Sequence, residues 1–305
     1  QIKLDVTVTH HGPIIVGDPG SGYAVAFKYT ATTGPNKGFQ CLPKMLMATS
    51  ADEIEESMKD WVDPSNNFVF ADIHGDIGYL NRGRLPVRSM SNAWLPVPGW
   101  TGQHEWHGFV PFEELARSRN PSNEYIVTAN NKIVSSDYPH YIGLHFSPDH
   151  RARRILARLE KMNKATVSDM SSIHEENISI PGKIYADLLY QIQPLDQKSH
   201  EAQERLEGWD GAMDKNLVSP TIYSAFRLHL NRKLLQHILG PVAEKALSKT
   251  GRGAPFHMRQ LEAIFPNMAK ENETSVLPPG EDWKSLMAKA LADAVNYLKK
   301  RLGND

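Results

Sequence analysis

The chain has 305 residues, of which 40% are hydrophobic and 23% charged; this is the ordinary globular range, with room for one large or two medium domains. Lys plus Arg is 34 and Asp plus Glu is 35, and the resulting net charge of −1 excludes the strongly basic balance that nucleic acid or an anionic membrane would recruit. A single cysteine, Cys41, excludes an internal disulfide and any cysteine-rich metal site.

No apolar run approaches the ~20 residues of a membrane-spanning helix. The amino end, Gln-Ile-Lys-Leu-Asp, lacks the basic start and apolar core of a signal peptide and has no initiator methionine, so we expect a mature subunit, a processed fragment or a cut piece. Lys3 to Val8 alternates, with Leu4, Val6 and Val8 on one side, and Tyr23 to Tyr29 alternates again, so both read as strands. Ser50-Ala-Asp-Glu53 is a capping box opening one helix, with Ile54, Met58 and Trp61 at helical spacing. Asn67 to Tyr79 is two short runs around a turn, Asp72-Ile-His-Gly75-Asp76, in which Gly75 is free to take positive φ.

Near residue 147 the hydrophobic period becomes helical. Ser147-Pro148 predicts an N-cap and first-turn proline, with Ile155, Leu159 and Met162 as one stripe. Ser219-Pro220 predicts a second such start, burying Tyr223, Phe226, Leu230 and Leu234. Gly251 to Pro279 has scattered Gly and Pro, no sustained period, and reads as a long surface excursion. A last helix runs from about Glu281, buries Trp283, Leu286, Ala290, Leu291, Ala294 and Leu298, and stops at Gly303. A β-rich part, 1–146, thus precedes a helix-rich part, 147–305, and the fold class is α+β.

Several groupings carry chemistry or its imitation. His10-His11 follows a strand, where neighbours point to opposite faces, so the pair is not expected to share an ion and no metal ligand is assigned. Asp72, His74 and Asp76 fit a hairpin tip in which Asp72 bonds its own backbone. Trp94, Trp100 and Trp106 either stack on a ligand or line an apolar pocket, or else pin a proline-stiffened loop as buried rings. Gly20-Ser21-Gly22 falls short of a nucleophile elbow, and Walker, Rossmann and His-Glu-x-x-His patterns are absent. Tyr125 to Thr128 reads as a strand ending in Asn130-Asn131, which is either a turn or a rigid amide donor for an oxyanion. Arg151, Arg153, Arg154 and Arg158 read as a basic, solvated helix face.

The run from Asn120 to Asn131, continued through Asp137-Tyr138-Pro139 into His150-Arg151-Ala-Arg153-Arg154, resembles the penicillin acylase (penicillin amidase) family. Thr9-His10-His11-Gly12-Pro13, Phe70-Ala71-Asp72 through Tyr79, Leu95-Pro-Val-Pro98-Gly99 through Pro111-Phe112, and Leu206-Glu-Gly-Trp209-Asp210-Gly211 extend the resemblance in order. It implies part of an αββα sandwich and an amidohydrolase whose nucleophile is an amino-terminal serine, with its own α-amine as base. Because the chain begins at Gln1, the serine, the α-subunit, the linker peptide and the closing strands are expected elsewhere, and this chain alone is expected to be inactive. Within it the resemblance assigns Asn130 to the oxyanion and Arg151 to a supporting position near the nucleophile.

No cofactor is expected in this chain. Calcium, bound by several family members, is implied only for the intact protein, since Tyr138 to Pro148 holds no Asp or Glu. The expected partners are a small N-acyl substrate and the missing subunit segments, with no nucleic acid and no membrane, in the periplasm or outside the cell. Penicillins, acyl-homoserine lactones and other N-acyl compounds stay open, and no substrate-binding residue is assigned. The alternative is a non-catalytic domain whose Trp94 to Trp106 loop recognises a ligand.

Overall fold

The structure, a computed structural model, describes residues 2–3, 5–247 and 254–303, with the backbone alone at 93 and 254–262. Two compact units divide it, Gln1–Ser147 and Pro148–Asp305. All six strands assigned among the described residues lie in the first unit, and with the helices they give an α+β chain.

In the first unit, β1 (Val8–Thr9), β2 (Gly12–Asp18) and β3 (Tyr23–Ala26) form an antiparallel sheet in that order. The first strand is shorter than the alternation over Lys3 to Val8 predicts, and Leu4 lies outside the described residues. Thr9 pairs with Gly12, so β1 turns back after two residues. Gly12 is obligatory there: φ is +107°, and a Cβ would lie 2.2 Å from the Phe27 carbonyl oxygen. Ile15, Val16 and Tyr23 on this sheet, and Phe27 just after it, are exposed apolar residues.

Two helices, not one, follow. α1 (Gly38–Met47) carries Pro43 inside it, while α2 (Ala51–Ser57) is capped by Ser50, whose hydroxyl accepts from Glu53 N. The Glu53 carboxylate reaches Thr49 N at 2.7 Å. Then β4 (Asn66–Ala71), β5 (Ile77–Arg82) and β6 (Arg117–Arg119) form a second antiparallel sheet, with Ala71 opposite Ile77 across the predicted turn. Asp72 organises that turn, accepting from His74 N at 2.8 Å and Asp76 N at 3.0 Å. Its other oxygen accepts from Ala51 N at 3.0 Å, tying the hairpin tip to the start of α2. Met58, Phe70, Leu80, Val110 and Leu115 form the core between these elements.

The second unit is helical: α3 (His150–Leu159), α4 (Val167–His174), α5 (Ile180–Leu189), α6 (Gln197–Glu204), α7 (Ser219–Leu239), α8 (Ala243–Leu247), α9 (Ala254–Glu271) and α10 (Trp283–Leu302). The N-cap of α3 is Asp149, two residues later than Ser147-Pro148 predicts, and Met162 lies beyond the helix end. α7 and α10 bury the predicted faces, Tyr223, Phe226, Leu230 and Leu234 against Leu286, Ala290, Leu291 and Ala294. Gly303 ends α10 at φ +103°.

The segment read as a surface excursion is instead α9 from Ala254 onward, residues 251–253 lying outside the described residues. Phe265 is fully buried and Ala269 nearly so. The interior Pro266 removes one backbone donor, a break that burial of this face outweighs.

Candidate active site

Tyr125 to Thr128 lies in no assigned helix or strand; it is tied to the second sheet by a side-chain bond, Asn67 Nδ2 to Thr128 Oγ1 at 2.8 Å. After it the chain turns. Asn130 adopts φ +63°, a left-handed conformation that asparagine tolerates better than most residues. Asn131 Oδ1 accepts from Ala129 N at 3.0 Å and Asn131 Nδ2 donates to Lys132 O at 3.0 Å. Ser147 N donates to Asn130 O at 2.7 Å. So the turn is real and Asn131 closes it, with Ala129 buried and Asn130 exposed.

Arg151 lies exposed in the first turn of α3. A cation there opposes the helix dipole, so helix stability does not account for it. Within the basic face, Arg154 grips Glu176 through Nε at 3.0 Å and a terminal nitrogen at 2.7 Å, and Arg158 adds a contact at 3.4 Å. Hydrogen bonding from Arg154, ahead of the opposing desolvation, holds the Glu176 carboxyl below its ordinary range. His150, beside Arg151, is held below the usual histidine value chiefly by burial. Asn130 belongs to the first unit and Arg151 to the second.

Other motifs resolve into architecture. Trp209 is buried, its indole N–H donates to Ala212 O at 3.0 Å, and its ring lies 5.5 Å from that of Tyr223. Gly211, at φ +91°, would place a Cβ 2.5 Å from Ser179 O. Trp94 and Trp100 are 65% and 87% exposed, so neither is a buried pin; Trp106 is half-buried, edge-on to Phe109 at 6.2 Å. The loop is held instead by polar ties, Asn92 Nδ2 to His104 O at 2.9 Å and His11 Nε2 to Gly99 O at 2.8 Å.

The expectation that His10 and His11 diverge fails, because they occupy the turn between β1 and β2 and their rings lie 3.7 Å apart. Together with Glu105 they form the one group of three or more His, Cys, Asp or Glu ligands found close together among the described residues. Two imidazoles and one carboxylate do not suit calcium, which takes six to eight oxygens. No calcium chemistry is therefore derived for this chain. Glu105 was not singled out by the sequence, and Ser147 only as a helix cap, since their partners are remote along the chain and no short motif links them.

The penicillin amidase family model matches residues 1–305. The penicillin acylase 2 proenzyme of Pseudomonas sp. (strain SE83) is 32% identical over 98% of this chain and 39% of its own length. The acyl-homoserine lactone acylase QuiP of Pseudomonas fluorescens (strain Pf-5) is 23% identical over 100% of this chain and 40% of its own. The chain thus spans about two fifths of the length of these relatives. A thermostable penicillin G acylase from Alcaligenes faecalis shares the fold, with a TM-score of 0.76 over 98% of this chain and 58% of that one, at 19% identity. By sequence and fold alike, this chain belongs to the penicillin amidase family.

Proposed function

We propose that the intact protein is an amidohydrolase of the N-terminal nucleophile type, in which this chain forms part of an αββα sandwich and supplies the oxyanion donor. The serine comes from a segment outside this chain. Its α-amine takes the hydroxyl proton, the oxygen attacks the amide carbon, and the proton passes to the departing amine as the C–N bond breaks. Water then hydrolyses the acyl-serine ester by the same route. Asn130 Nδ2–H and a backbone N–H donate to the tetrahedral oxygen. Arg151 is a positioning residue whose charge lowers the cost of the anion.

The observation that carries this reading is the Asn130 backbone, held at φ +63° between the Asn131 and Ser147 hydrogen bonds. A backbone fixed before reaction limits the reorganisation its side-chain donor needs as charge develops, and a preorganised donor of this kind is worth about 3–4 kcal/mol. N-acyl compounds are the substrate class, as the names of the penicillin and acyl-homoserine lactone acylases suggest. The periplasm or the exterior is the place of action proposed, on the family resemblance. Calcium, where the intact protein carries it, draws its carboxylate ligands from other segments.

The test is expression of the whole reading frame, assay on penicillin G and acyl-homoserine lactones, and mass spectrometry of the trapped enzyme. Turnover with one acyl group on an amino-terminal serine is expected; turnover without that adduct contradicts the mechanism. A second reading, a non-catalytic binding domain, is favoured by the exposure of Trp94 and Trp100. It predicts saturable ligand binding with no cleavage when this chain is combined with the remaining segments.

A further inference from the structure

The two-residue turn joining β1 to β2 brings two imidazoles against one carboxylate. His10 Nε2 lies 3.2 Å and His11 Nε2 3.5 Å from the same oxygen, Glu105 Oε1, and the three candidate ligand atoms fall within 4.8 Å of one another. We propose that His10, His11 and Glu105 bind a divalent ion of the zinc type, tying the β1–β2 turn to the tryptophan-bearing loop.

Ligands about 2.0–2.1 Å from a tetrahedral zinc stand about 3.4 Å apart along each edge. The two separations to Glu105 bracket that edge. Two nitrogens and one oxygen also match the three-ligand sets that keep a fourth position for water, and imidazole donors favour zinc-type ions over calcium. Hydrogen bonding accounts for the contact of His10 with Glu105 but less well for that of His11. The single proton that His11 Nε2 can carry serves the Gly99 carbonyl, 2.8 Å away, leaving that nitrogen no second donor for Glu105. On binding the ion, His11 carries its proton on Nδ1, and the Gly99 oxygen is left to accept from a metal-bound water.

Lys28 tunes the site. Its Nζ lies 3.6 Å from Glu105 Oε2 and 5.4 Å from the centre of the Trp106 ring. It steadies the carboxylate through the oxygen that faces away from the histidines, but its charge opposes an incoming cation. Removing that charge while keeping all three ligands should tighten binding.

Zinc(II) titrated calorimetrically into the full chain tests this, with cobalt(II) absorption reporting tetrahedral geometry. The expected result is one ion per chain, affinity weakened more than about tenfold in His10→Asn, His11→Asn and Glu105→Gln, and strengthened in Lys28→Gln. Zinc should also raise the melting temperature of the unmodified chain but not of these three ligand variants. Absence of saturable binding, unchanged affinity in the His10→Asn/His11→Asn double variant, or no gain in Lys28→Gln would overturn the proposal. The last comparison decides even where a ligand variant fails to fold.

Discussion

The backbone N–H of Ser147 donates to the carbonyl oxygen of Asn130 across 2.7 Å. The segment between them holds no assigned helix or strand, so this single bond closes a long excursion. Asn131 secures the same turn locally through Ala129 N. The backbone of Asn130 is thereby fixed from both sides while the residue remains exposed, as the proposed donor role requires.

Phe265→Ala should cost about 3–5 kcal/mol, the range for deleting a fully buried ring, because α9 packs Phe265 into the helical core. Urea unfolding followed by circular dichroism measures it. A loss under about 1 kcal/mol would return 254–271 to the surface.

Gly211→Ala should be comparably damaging. Its φ of +91° disfavours any side chain, and the new Cβ would meet Ser179 O at 2.5 Å. A loss of about 2–4 kcal/mol is expected from strain plus displacement of the facing backbone. Gly280→Ala serves as the control, since its φ of +79° faces open space; equal losses at both sites would show that φ alone matters.

Acid should destabilise the second unit in two stages. Burial holds His150 below its ordinary 6.5, so the unfolded chain takes up the proton first. Its contribution is full above that value and is lost as pH falls through the lower, folded value. Glu176, held below its ordinary 4.5 by its bonds to Arg154, adds a second loss at more acid pH by the same sign. His150→Gln should flatten the stability profile as pH falls below 6.5 and leave the carboxylate stage intact. An unchanged profile would remove His150 as the cause.

Local chemistry was legible in the sequence wherever it acts over a few residues. The Asp72 turn, the Ser50 cap and the α7 and α10 faces all follow from spacing and side-chain hydrogen bonding. Two helices escaped for a shared reason: α1 and α9 each carry an interior proline, Pro43 and Pro266, which reads as a terminator unless burial compensates. α4 was missed despite its Thr166/Asp169 capping box, because its short apolar pattern is weak. His10 and His11 were misread because strand alternation was carried one step too far, into the turn. Long-range ties such as Ser147 to Asn130 and Arg154 to Glu176 leave no local trace.

Asn130→Ala in the intact protein bears most directly on the proposed chemistry. The bond it removes strengthens only as the carbonyl becomes an oxyanion, so kcat should fall on the order of 10²–10³-fold while KM stays nearly constant. Chain processing should slow as well. Asn131→Ala, which opens the turn at Ala129 N, should lower stability more than rate. Retention of kcat within about threefold, less than ~1 kcal/mol, together with normal processing in Asn130→Ala, would contradict the oxyanion assignment and leave Asn130 as a turn residue alone.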